Sequence, residues 1–279
     1  MPTAPETPAV SVLMGVLYRR EDTGALKRSV DSILNQTFSE LEFLICDDGS
    51  SPAAKAFLDR TAGEDPRVRL IRTNGRTDLA SKLNACFREA RGSYLARMDD
   101  DDRSLPERFE KQIRALEQHP GIAFVGSGVR LIRSGSVWGS RSFPEFPQVK
   151  DFYHTQPFIH PALMFRREAL EAAGGYSEAS RQFLCEDYDL LLRMYAKGLR
   201  GMNLRENLLD YTIPATAKGG RRMSHRWNEA VTRYQRFREL RLLPGAWPYV
   251  IRPLAVGLLP NAILERIKAK NMIKKEEKK

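Results

Sequence analysis

The stretch Ala96-Arg97-Met98-Asp99-Asp100-Asp101-Asp102 is the most informative part of the sequence, because a strand-like run ends abruptly in four consecutive carboxylates. Residues 93–96 are typical of a buried strand, and Ser104-Leu105-Pro106-Glu107 predicts a capping box that opens a helix over 108–118. The acids then lie in the turn after a strand, at the carboxyl edge where open α/β sheets bind ligands.

Four adjacent carboxylates repel one another unless a cation lies among them. The alternate residues Asp99 and Asp101 can bind one divalent cation through oxygen, which suits Mg²⁺ or Mn²⁺ bridging a diphosphate. The alternative is a solvated acidic turn, because blocks of like charge are often only solvated surface.

The residues before the acidic turn predict a parallel sheet of the βαβ type. Strands are expected at residues 10–17, 41–46, 68–72 and 93–96, and helices at residues 26–34 and 79–90. The strand over 41–46 ends in Asp47-Asp48-Gly49-Ser50. Two strand ends of the same predicted sheet therefore deliver carboxylates to one edge.

The pattern changes after the turn His119-Pro120-Gly121 to shorter segments punctuated by glycine. These predict smaller, partly antiparallel strands at 122–125, 128–132 and 161–165, and helices at 167–173, 186–197 and 227–240. The pair Gly174-Gly175 is expected to end the first of these helices. Strand patterns end at Tyr211.

The composition indicates a folded globular protein with an uneven distribution of charge. Hydrophobic residues make up 42% of the 279 residues, and the formal net charge is +10. Such a charge implies attraction to a polyanion, a phosphorylated ligand or an anionic membrane. Three cysteines that lie far apart predict neither a disulfide framework nor a C-x-x-C metal site, so a reducing, cytosolic setting is expected. The proline-rich first nine residues are not typical of a signal peptide.

The last part of the chain is expected to differ from the rest. The segment Leu243 to Leu264 is apolar but interrupted by four prolines and Arg252, which disfavours a spanning helix. With the lysine-rich end it predicts an interfacial segment on anionic lipid, the alternative being a helix packed on the core with a solvated tail. We therefore expect a catalytic domain at 9–213 and a basic, helical C-terminal extension at 214–279.

From Val10 to Tyr211 the chain resembles the family 2 glycosyltransferases. The resemblance depends on landmarks in order: Ser11 to Met14 with Tyr18, Ser32 to Phe38, Asp47 to Ser50, Asn74-Gly75 with Leu83-Asn84, Tyr94 to Asp102, Leu105 to Arg108, His160-Pro161 with Met164 to Arg166, Gly174 to Tyr176, and Glu186 to Leu190. It implies a GT-A fold: an α/β, Rossmann-like, mainly parallel mixed sheet with flanking helices. It also implies an inverting transfer of sugar.

The resemblance assigns residues to the donor nucleotide and to a metal. It places Asp48 on the pyrimidine ring with Asp47 beside it, Tyr18 at the nucleotide, and Asp99 near the ribose and metal. A carboxylate suits a base edge with an N–H, so a UDP-sugar is favoured; the alternative for these acids is an Asx-type turn.

For the metal, the resemblance makes Asp101 the direct ligand, with Asp99 and His160 completing the set. A purely structural histidine remains the alternative. Asp100 departs from the alanine more common in the family, and Asp102 is expected to be structural. The cofactor is therefore expected to be Mn²⁺ or Mg²⁺.

Asp187 matches the general base of the family, which removes a proton from the acceptor hydroxyl as it attacks the anomeric carbon. Glu186 is the competing residue for this role. Acidic residues also stabilise the amino-terminal end of a helix, so a structural role for both is the alternative.

The sequence thus predicts a metal-dependent transferase that moves a sugar from a nucleotide diphosphate to a lipid-linked oligosaccharide or polysaccharide acceptor in cell-surface glycan synthesis. It would be cytoplasmic and peripheral at the inner face of the membrane.

A sugar nucleotidyltransferase would need a glycine-rich loop after the first strand, where only Gly15 occurs. Non-catalytic nucleotide-sugar binding stays open. Nucleic-acid binding is disfavoured, because aromatic residues are not interleaved with the arginines. A mobile basic loop at Lys218 to Arg222 is also expected.

Overall fold

The structure, a computed structural model, describes residues 7–73, 78–179, 184–213 and 222–258. These residues form two compact units. The first contains the described residues up to Glu178 and from Glu186 to 213, and the second contains 179, 184–185 and 222–258. Most of the predicted Lys218–Arg222 loop and the tail after Leu258 lie outside the described residues.

The strands of the first unit form one mixed sheet. They are β1 (Val10–Val16), β2 (Leu41–Asp47), β3 (Val68–Arg72), β4 (Tyr94–Met98), β5 (Arg103–Ser104), β6 (Ile122–Arg133), β7 (Ser136–Arg141), β8 (Met164–Arg166) and β9 (Arg200–Thr212). Their order is β3-β2-β1-β4-β8-β6-β9-β5, with β7 paired to β6. The first four strands run parallel, as does the pair β6 and β9, whereas β8 is antiparallel to both of its neighbours. The predicted α/β fold with a mixed, mainly parallel sheet is confirmed.

Helices of the first unit cover the sheet. They are α1 (Gly24–Leu34), α2 (Pro52–Glu64), α3 (Leu79–Glu89), α4 (Arg108–Gln118), α5 (Arg167–Ala173) and α6 (Glu186–Ala196). Of the apolar positions that predict α1, Leu26, Val30 and Ile33 are fully buried and Leu34 is half-buried. Burial of each such side chain stabilises the fold by about 1.5–3 kcal/mol. The parallel strands β1 and β2 are buried almost throughout, which explains their continuous apolar sequences.

The predicted capping box before α4 is wrong in an informative way. Helix α4 begins at Arg108 as expected, but no side chain caps it. Ser104 instead belongs to β5, where it pairs with Leu209 of β9 and accepts a hydrogen bond from Gln36 at 3.2 Å. Ser104 therefore pairs in the sheet, although its local sequence is typical of a helix cap.

The strands predicted at 122–125 and 128–132 are one continuous strand, β6. Gly126 and Gly128 allow the side chains of β9 to approach closely and mark no turn. A Cβ atom on Gly126 would lie 2.5 Å from Oδ1 of Asn203, and one on Gly128 would lie 2.6 Å from Oδ1 of Asn207. The strand predicted at 161–165 is in fact a 3-10 turn at His160–Ala162 followed by β8.

The second unit contains two helices, α7 (Met223–Glu239) and α8 (Trp247–Gly257). Helix α7 begins four residues before the predicted start at Trp227. Helix α8 includes Pro253 and lies within the apolar segment 243–264. Among the described residues, no helix combines the length and apolarity that a bilayer crossing requires.

Candidate active site

The acidic turn follows β4, at the carboxyl edge of the parallel strands as predicted. Its backbone is held from two sides. Ser29 of α1 donates a hydrogen bond to the carbonyl oxygen of Asp99 at 2.6 Å, and the Thr212 hydroxyl of β9 donates to that of Asp101 at 2.6 Å. The turn is therefore fixed by elements that are 70 and 111 residues distant in sequence.

Three carboxylates converge in this turn. One oxygen each from Asp99, Asp101 and Asp102 lies within 4.8 Å of the other two. Asp102 is buried; its Oδ1 accepts the backbone N–H of Thr212 at 2.8 Å, whereas its Oδ2 has no hydrogen-bond partner. An orphaned buried carboxylate oxygen beside two further carboxylates fits a divalent cation with oxygen ligands. The structure thus makes Asp102 a candidate ligand, a role that sequence reasoning missed.

The electrostatics of the turn agree with such a site. Burial, followed by the charge of Asp99, raises the pKa of Asp102 to about 8, although the hydrogen bond from the Thr212 N–H opposes this shift. Burial likewise raises the pKa of Asp100 to about 7, with Asp99 and Asp101 as the next causes. These carboxyl groups are unfavourable as anions in the metal-free protein, and a cation among them would relieve that repulsion.

Two buried arginines lie beneath the turn, and the sequence did not reveal either as a site residue. Arg97 is 2% exposed and forms an ion pair with Asp99. Burial lowers the pKa of the Arg97 guanidinium, but Asp99, Tyr176 and Asp102 outweigh that effect and leave it raised. Arg108 donates to the carbonyl oxygen of Arg97 at 2.9 Å, and burial followed by the charge of Arg97 lowers its pKa to about 9. Arg97 therefore offsets negative charge from inside the fold and orients Asp99.

Replacement of Arg97 tests this positioning role. Because the neighbouring carboxylates would lose their buried counter-ion, we expect Arg97→Met to lower the free energy of unfolding by about 3–5 kcal/mol. Arg97→Lys should recover only part of that loss, because an ammonium group lacks the planar geometry of a guanidinium. Urea unfolding of the metal-free proteins measures both values. An unchanged stability in Arg97→Met would contradict the role.

Lys82 of α3 is a second cation that the sequence did not bring forward. Its side chain is 5% exposed, and no acid among the described residues lies within 4.0 Å of its Nζ. Its stem packs over β1, where a Cβ atom on Gly15 would lie 3.0 Å from the Lys82 Cβ. Burial raises the pKa of Asp100, and the Lys82 charge partly opposes that rise. The pKa of Cys46, in β2, is lowered first by its hydrogen bond with Cys86 and also by the Lys82 charge. The ammonium group therefore faces the same strand edge as the acidic turn.

The residues predicted to bind the nucleotide lie at the ends of β1 and β2. The Asp47 carboxylate forms an ion pair with Arg72 and accepts the Ser50 N–H at 3.0 Å, so it stabilises the turn. Asp48 accepts the hydroxyl of Thr73 at 2.7 Å. The N–H of Tyr18 donates to the Ser50 hydroxyl at 2.8 Å, which joins the two loops. The Asp47 side chain accepts the backbone N–H three residues on, which stabilises the loop after β2. The nucleotide roles of all three residues stay predictions.

His160 lies outside the group of three converging carboxylates. Its Nε2 is 2.8 Å from the hydroxyl of Tyr176, and burial, followed by the charge of Arg97, lowers its pKa well below the usual value. The ring is therefore neutral near pH 7. Its assignment as a metal ligand stays a prediction, since its described partner is a phenol.

Tyr176 connects the acidic turn to the predicted catalytic base. Burial raises the pKa of Tyr176 above its usual range, the charge of Arg97 lowers it, and Asp187, Glu186 and Asp99 raise it further. The buried Tyr176 phenol therefore interacts electrostatically with Asp99 at the end of β4 and with both acids at the start of α6. Asp99, Asp187 and Glu186, which the sequence assigns to the site, thus lie in one region around Tyr176.

Helix α6 is held in place by a buried ion pair. Asp189 is fully buried and accepts Nε of Arg193 at 2.8 Å, while Nη2 of Arg193 donates to the carbonyl oxygen of Gly175 at 2.7 Å. Asn84 in turn accepts the N–H of Tyr176 and donates to its carbonyl oxygen, each at 2.9 Å. These bonds fix the amino-terminal end of α6 relative to Tyr176, although Asp187 and Asn84 are distant in sequence.

Comparisons with known proteins identify the family of this chain. A family model described as Glycosyl transferase family 2 matches residues 16–174. The chain is 34% identical over 271 residues to the putative glycosyltransferase EpsE of Bacillus subtilis (strain 168), with 97% of this chain and 96% of that protein covered. It is 30% identical over 234 residues to the amylovoran biosynthesis glycosyltransferase AmsE of Erwinia amylovora, with 82% and 84% covered.

Solved structures share the fold at low sequence identity. The S. aureus TarS fragment in complex with UDP-GlcNAc matches with a TM-score of 0.65 and 14% identity, over 87% of this chain and 72% of that one. The mannosyltransferase PcManGT of Pyrobaculum calidifontis, in complex with GDP-Man and Mn²⁺, matches with a TM-score of 0.56 and 20% identity, over 98% and 83%.

Proposed function

The chain belongs to glycosyltransferase family 2 and is therefore a glycosyltransferase, and from that premise we propose that it is an inverting, divalent-metal-dependent enzyme that uses a nucleotide-diphosphate sugar. The observation that carries this proposal is the convergence of Asp99, Asp101 and Asp102 at the end of β4. Family membership sets aside the nucleotidyltransferase and the purely binding alternatives.

In this proposal, residues at the strand edge bind the donor. Asp48 accepts the N–H of a pyrimidine base, which favours a UDP-sugar, and Tyr18 lies against the nucleotide. Support for a nucleotide sugar comes from the neighbours of known structure, which were solved in complex with UDP-GlcNAc and with GDP-Man. Asp47, because of its pair with Arg72, supports the loop that carries Asp48.

Asp99, Asp101 and Asp102 would hold Mn²⁺ or Mg²⁺. A cation bound there supplies positive charge to the diphosphate as it leaves. The chain contributes the carboxylate ligands, the buried Arg97 that orients Asp99, and the exclusion of water from Asp102. His160 would add a polar group beside this site, where its ring contacts the Tyr176 hydroxyl.

Asp187 would act as the general base. Its carboxylate removes the proton from the acceptor hydroxyl while that oxygen attacks the anomeric carbon and the bond to the diphosphate breaks on the opposite face. Glu186 precedes it in the first turn of α6. A carboxylate on the attacking side and charge neutralisation on the leaving side are sufficient for inversion.

We also propose the biological setting. A relative named for amylovoran biosynthesis supports a role in bacterial polysaccharide synthesis. The acceptor would then be lipid-linked or a polysaccharide. Residues 9–213 would form the catalytic domain, and 214–279 a basic extension that keeps the enzyme at the inner face of the membrane. The direct test is turnover of a panel of UDP-, dTDP- and GDP-sugars with Mn²⁺ and with EDTA. Turnover that is independent of metal would overturn the proposal.

Lys82 gives a first specific prediction. Because its buried ammonium group has no acidic partner among the described residues and faces the proposed diphosphate, Lys82→Met should raise the KM for the donor about tenfold, equivalent to about 1.4 kcal/mol. Folding stability should be unchanged or higher, because a buried cation is replaced by an apolar side chain. Lys27→Met, which removes an exposed lysine of α1, is the matched control. An unchanged donor KM would contradict the prediction.

The pH dependence of metal binding gives a second prediction. The raised pKa values of Asp100, about 7, and Asp102, about 8, mean that the folded metal-free protein binds protons that the unfolded chain has released above its pKa near 3.8. Metal-free stability should therefore fall as the pH rises from about 4 to about 8. Since the cation competes with these protons, Mn²⁺ should raise Tm more at about pH 8 than at about pH 6. Thermal scans at both values measure this, and an equal or smaller shift at the higher pH would refute it.

A further inference from the structure

Helices α7 and α8 enclose a cleft whose lining is entirely apolar or aromatic. Its volume is about 280 Å³. Trp227 and Tyr234 line it from α7, and Trp247 and Ile251 line it from α8, with the rings of Tyr234 and Trp247 5.6 Å apart. Trp227 is 60% exposed and Ile251 is 52% exposed. Large aromatic side chains that stay in water on two adjacent helices indicate a surface that is covered in use.

The same part of the chain carries almost all of the net charge. Fourteen of the 45 basic residues and five of the 35 acidic residues lie after position 221, so residues 222–279 hold nine of the ten net positive charges. In the described part of this segment the acids are Glu229 and Glu239, and both are paired with arginines of α7. Arg238, which is exposed, follows Tyr234 by one helical turn on the same face.

We infer that the cleft between α7 and α8 is the surface by which the enzyme docks on an anionic bilayer. Trp227 and Trp247 would enter the boundary between headgroups and acyl chains, and the surrounding arginines would contact anionic headgroups. Tryptophan and tyrosine prefer this depth, and each basic residue near such a surface adds about 1 kcal/mol. The inference deepens the proposed function by naming the surface that brings the site to a membrane-bound acceptor.

The positive charge of residues 222–279 favours an anionic bilayer over a second copy of the chain as the partner of the cleft. A second copy of the chain would bring an equally positive face to the cleft, and the two would repel each other. The positive charge extends over the whole segment and is not neutralised by its two described acids, which suits an extended anionic surface. Helix α8 has only 11 residues, too few to cross the hydrocarbon core, so the contact is interfacial.

The three tryptophans of the chain allow a direct test with the full-length protein. The third, Trp138, lies in β7 and is 45% exposed, close to the 43% of Trp247. In a Trp138→Phe background, all tryptophan fluorescence comes from the cleft. We expect brominated lipids in vesicles of phosphatidylglycerol and phosphatidylcholine to quench it, whereas vesicles of brominated phosphatidylcholine alone should quench weakly.

A partition measurement supplies the second arm. Trp227→Ala with Trp247→Ala should lower the partition coefficient for the anionic vesicles about tenfold or more, because the exposed apolar area that enters the bilayer is removed. The matched control Trp138→Ala should bind like the wild type. Donor hydrolysis without vesicles should be unchanged in all variants, so a failure of docking is distinguishable from a failure of the proposed activity.

Several outcomes would overturn the inference. Absence of quenching by the anionic brominated vesicles would show that the cleft does not enter the bilayer. Equal loss of binding in Trp138→Ala would show that the cleft is not the docking surface. Self-association abolished by the Trp227 and Trp247 replacements would identify a second copy as the occupant.

Discussion

Asp187→Asn is expected to lower kcat about a thousandfold while leaving the affinity for the donor nearly unchanged. Positioned proton transfer contributes about 10²- to 10⁴-fold to catalysis, and an amide cannot accept the proton of the acceptor hydroxyl. The amide keeps the size of the side chain and can still accept the N–H of Tyr188, which Asp187 accepts at 2.7 Å. The start of α6 should therefore stay folded, and single-turnover transfer with a saturating donor isolates the chemical step.

Glu186→Gln is the matched control, because it removes the same charge from the same helical turn. It should retain most of the activity. If both acids only stabilise the amino-terminal end of α6, the two variants should instead lose similar stability, about 0.3–1 kcal/mol each, with little effect on kcat. Wild-type turnover in Asp187→Asn, or a larger loss in Glu186→Gln, would reassign the base.

Asp101→Asn is expected to abolish the effect of the metal, with a loss of about a hundredfold or more in kcat/KM at saturating Mn²⁺. The reason is that one of three convergent carboxylates becomes neutral, so the site loses charge and a strong oxygen ligand together. The metal-dependent rise in Tm should disappear in parallel. The metal-free variant should be at least as stable as the wild type, because a repelling charge is removed from the turn.

Asp100→Asn tests whether this effect belongs to the site or merely to the net charge of the turn. Asp100 neighbours Asp101 but is not among the three residues whose oxygens converge. Its replacement should preserve metal-dependent activity and the shift in Tm. Equal losses in Asp100→Asn and Asp101→Asn would mean that the turn acts through its charge alone.

The parts of this architecture that follow from local pattern could be predicted from the sequence. The strand before Asp99 is recognisable because residues 93–96 form a strand-like run. Helix α1 is recognisable because its apolar residues recur at helical spacing. The placement of acids at the carboxyl ends of β2 and β4 followed from the parallel topology, since such strands end at the same edge.

The remainder depended on contacts between residues distant in sequence. The burial of Asp102 depends on β9, since its carboxylate accepts the N–H of Thr212, which lies 110 residues later in the sequence. Arg97 and Lys82 looked like ordinary charged residues of a strand and a helix, and only tertiary packing shows that both are buried. Tyr176 belongs to a family landmark, but only the structure shows that it contacts His160 and interacts with the charges of Asp99 and Asp187.

We propose that the carboxylates after β4 bind a divalent cation and that donor binding depends on this cation. Calorimetric titration of UDP into the wild-type protein, with Mn²⁺ and with EDTA, measures that dependence. We predict saturable binding with Mn²⁺, binding at least tenfold weaker with EDTA, and no effect of Mn²⁺ in Asp101→Asn. Equal affinity for UDP with and without the metal in the wild type would contradict the claim.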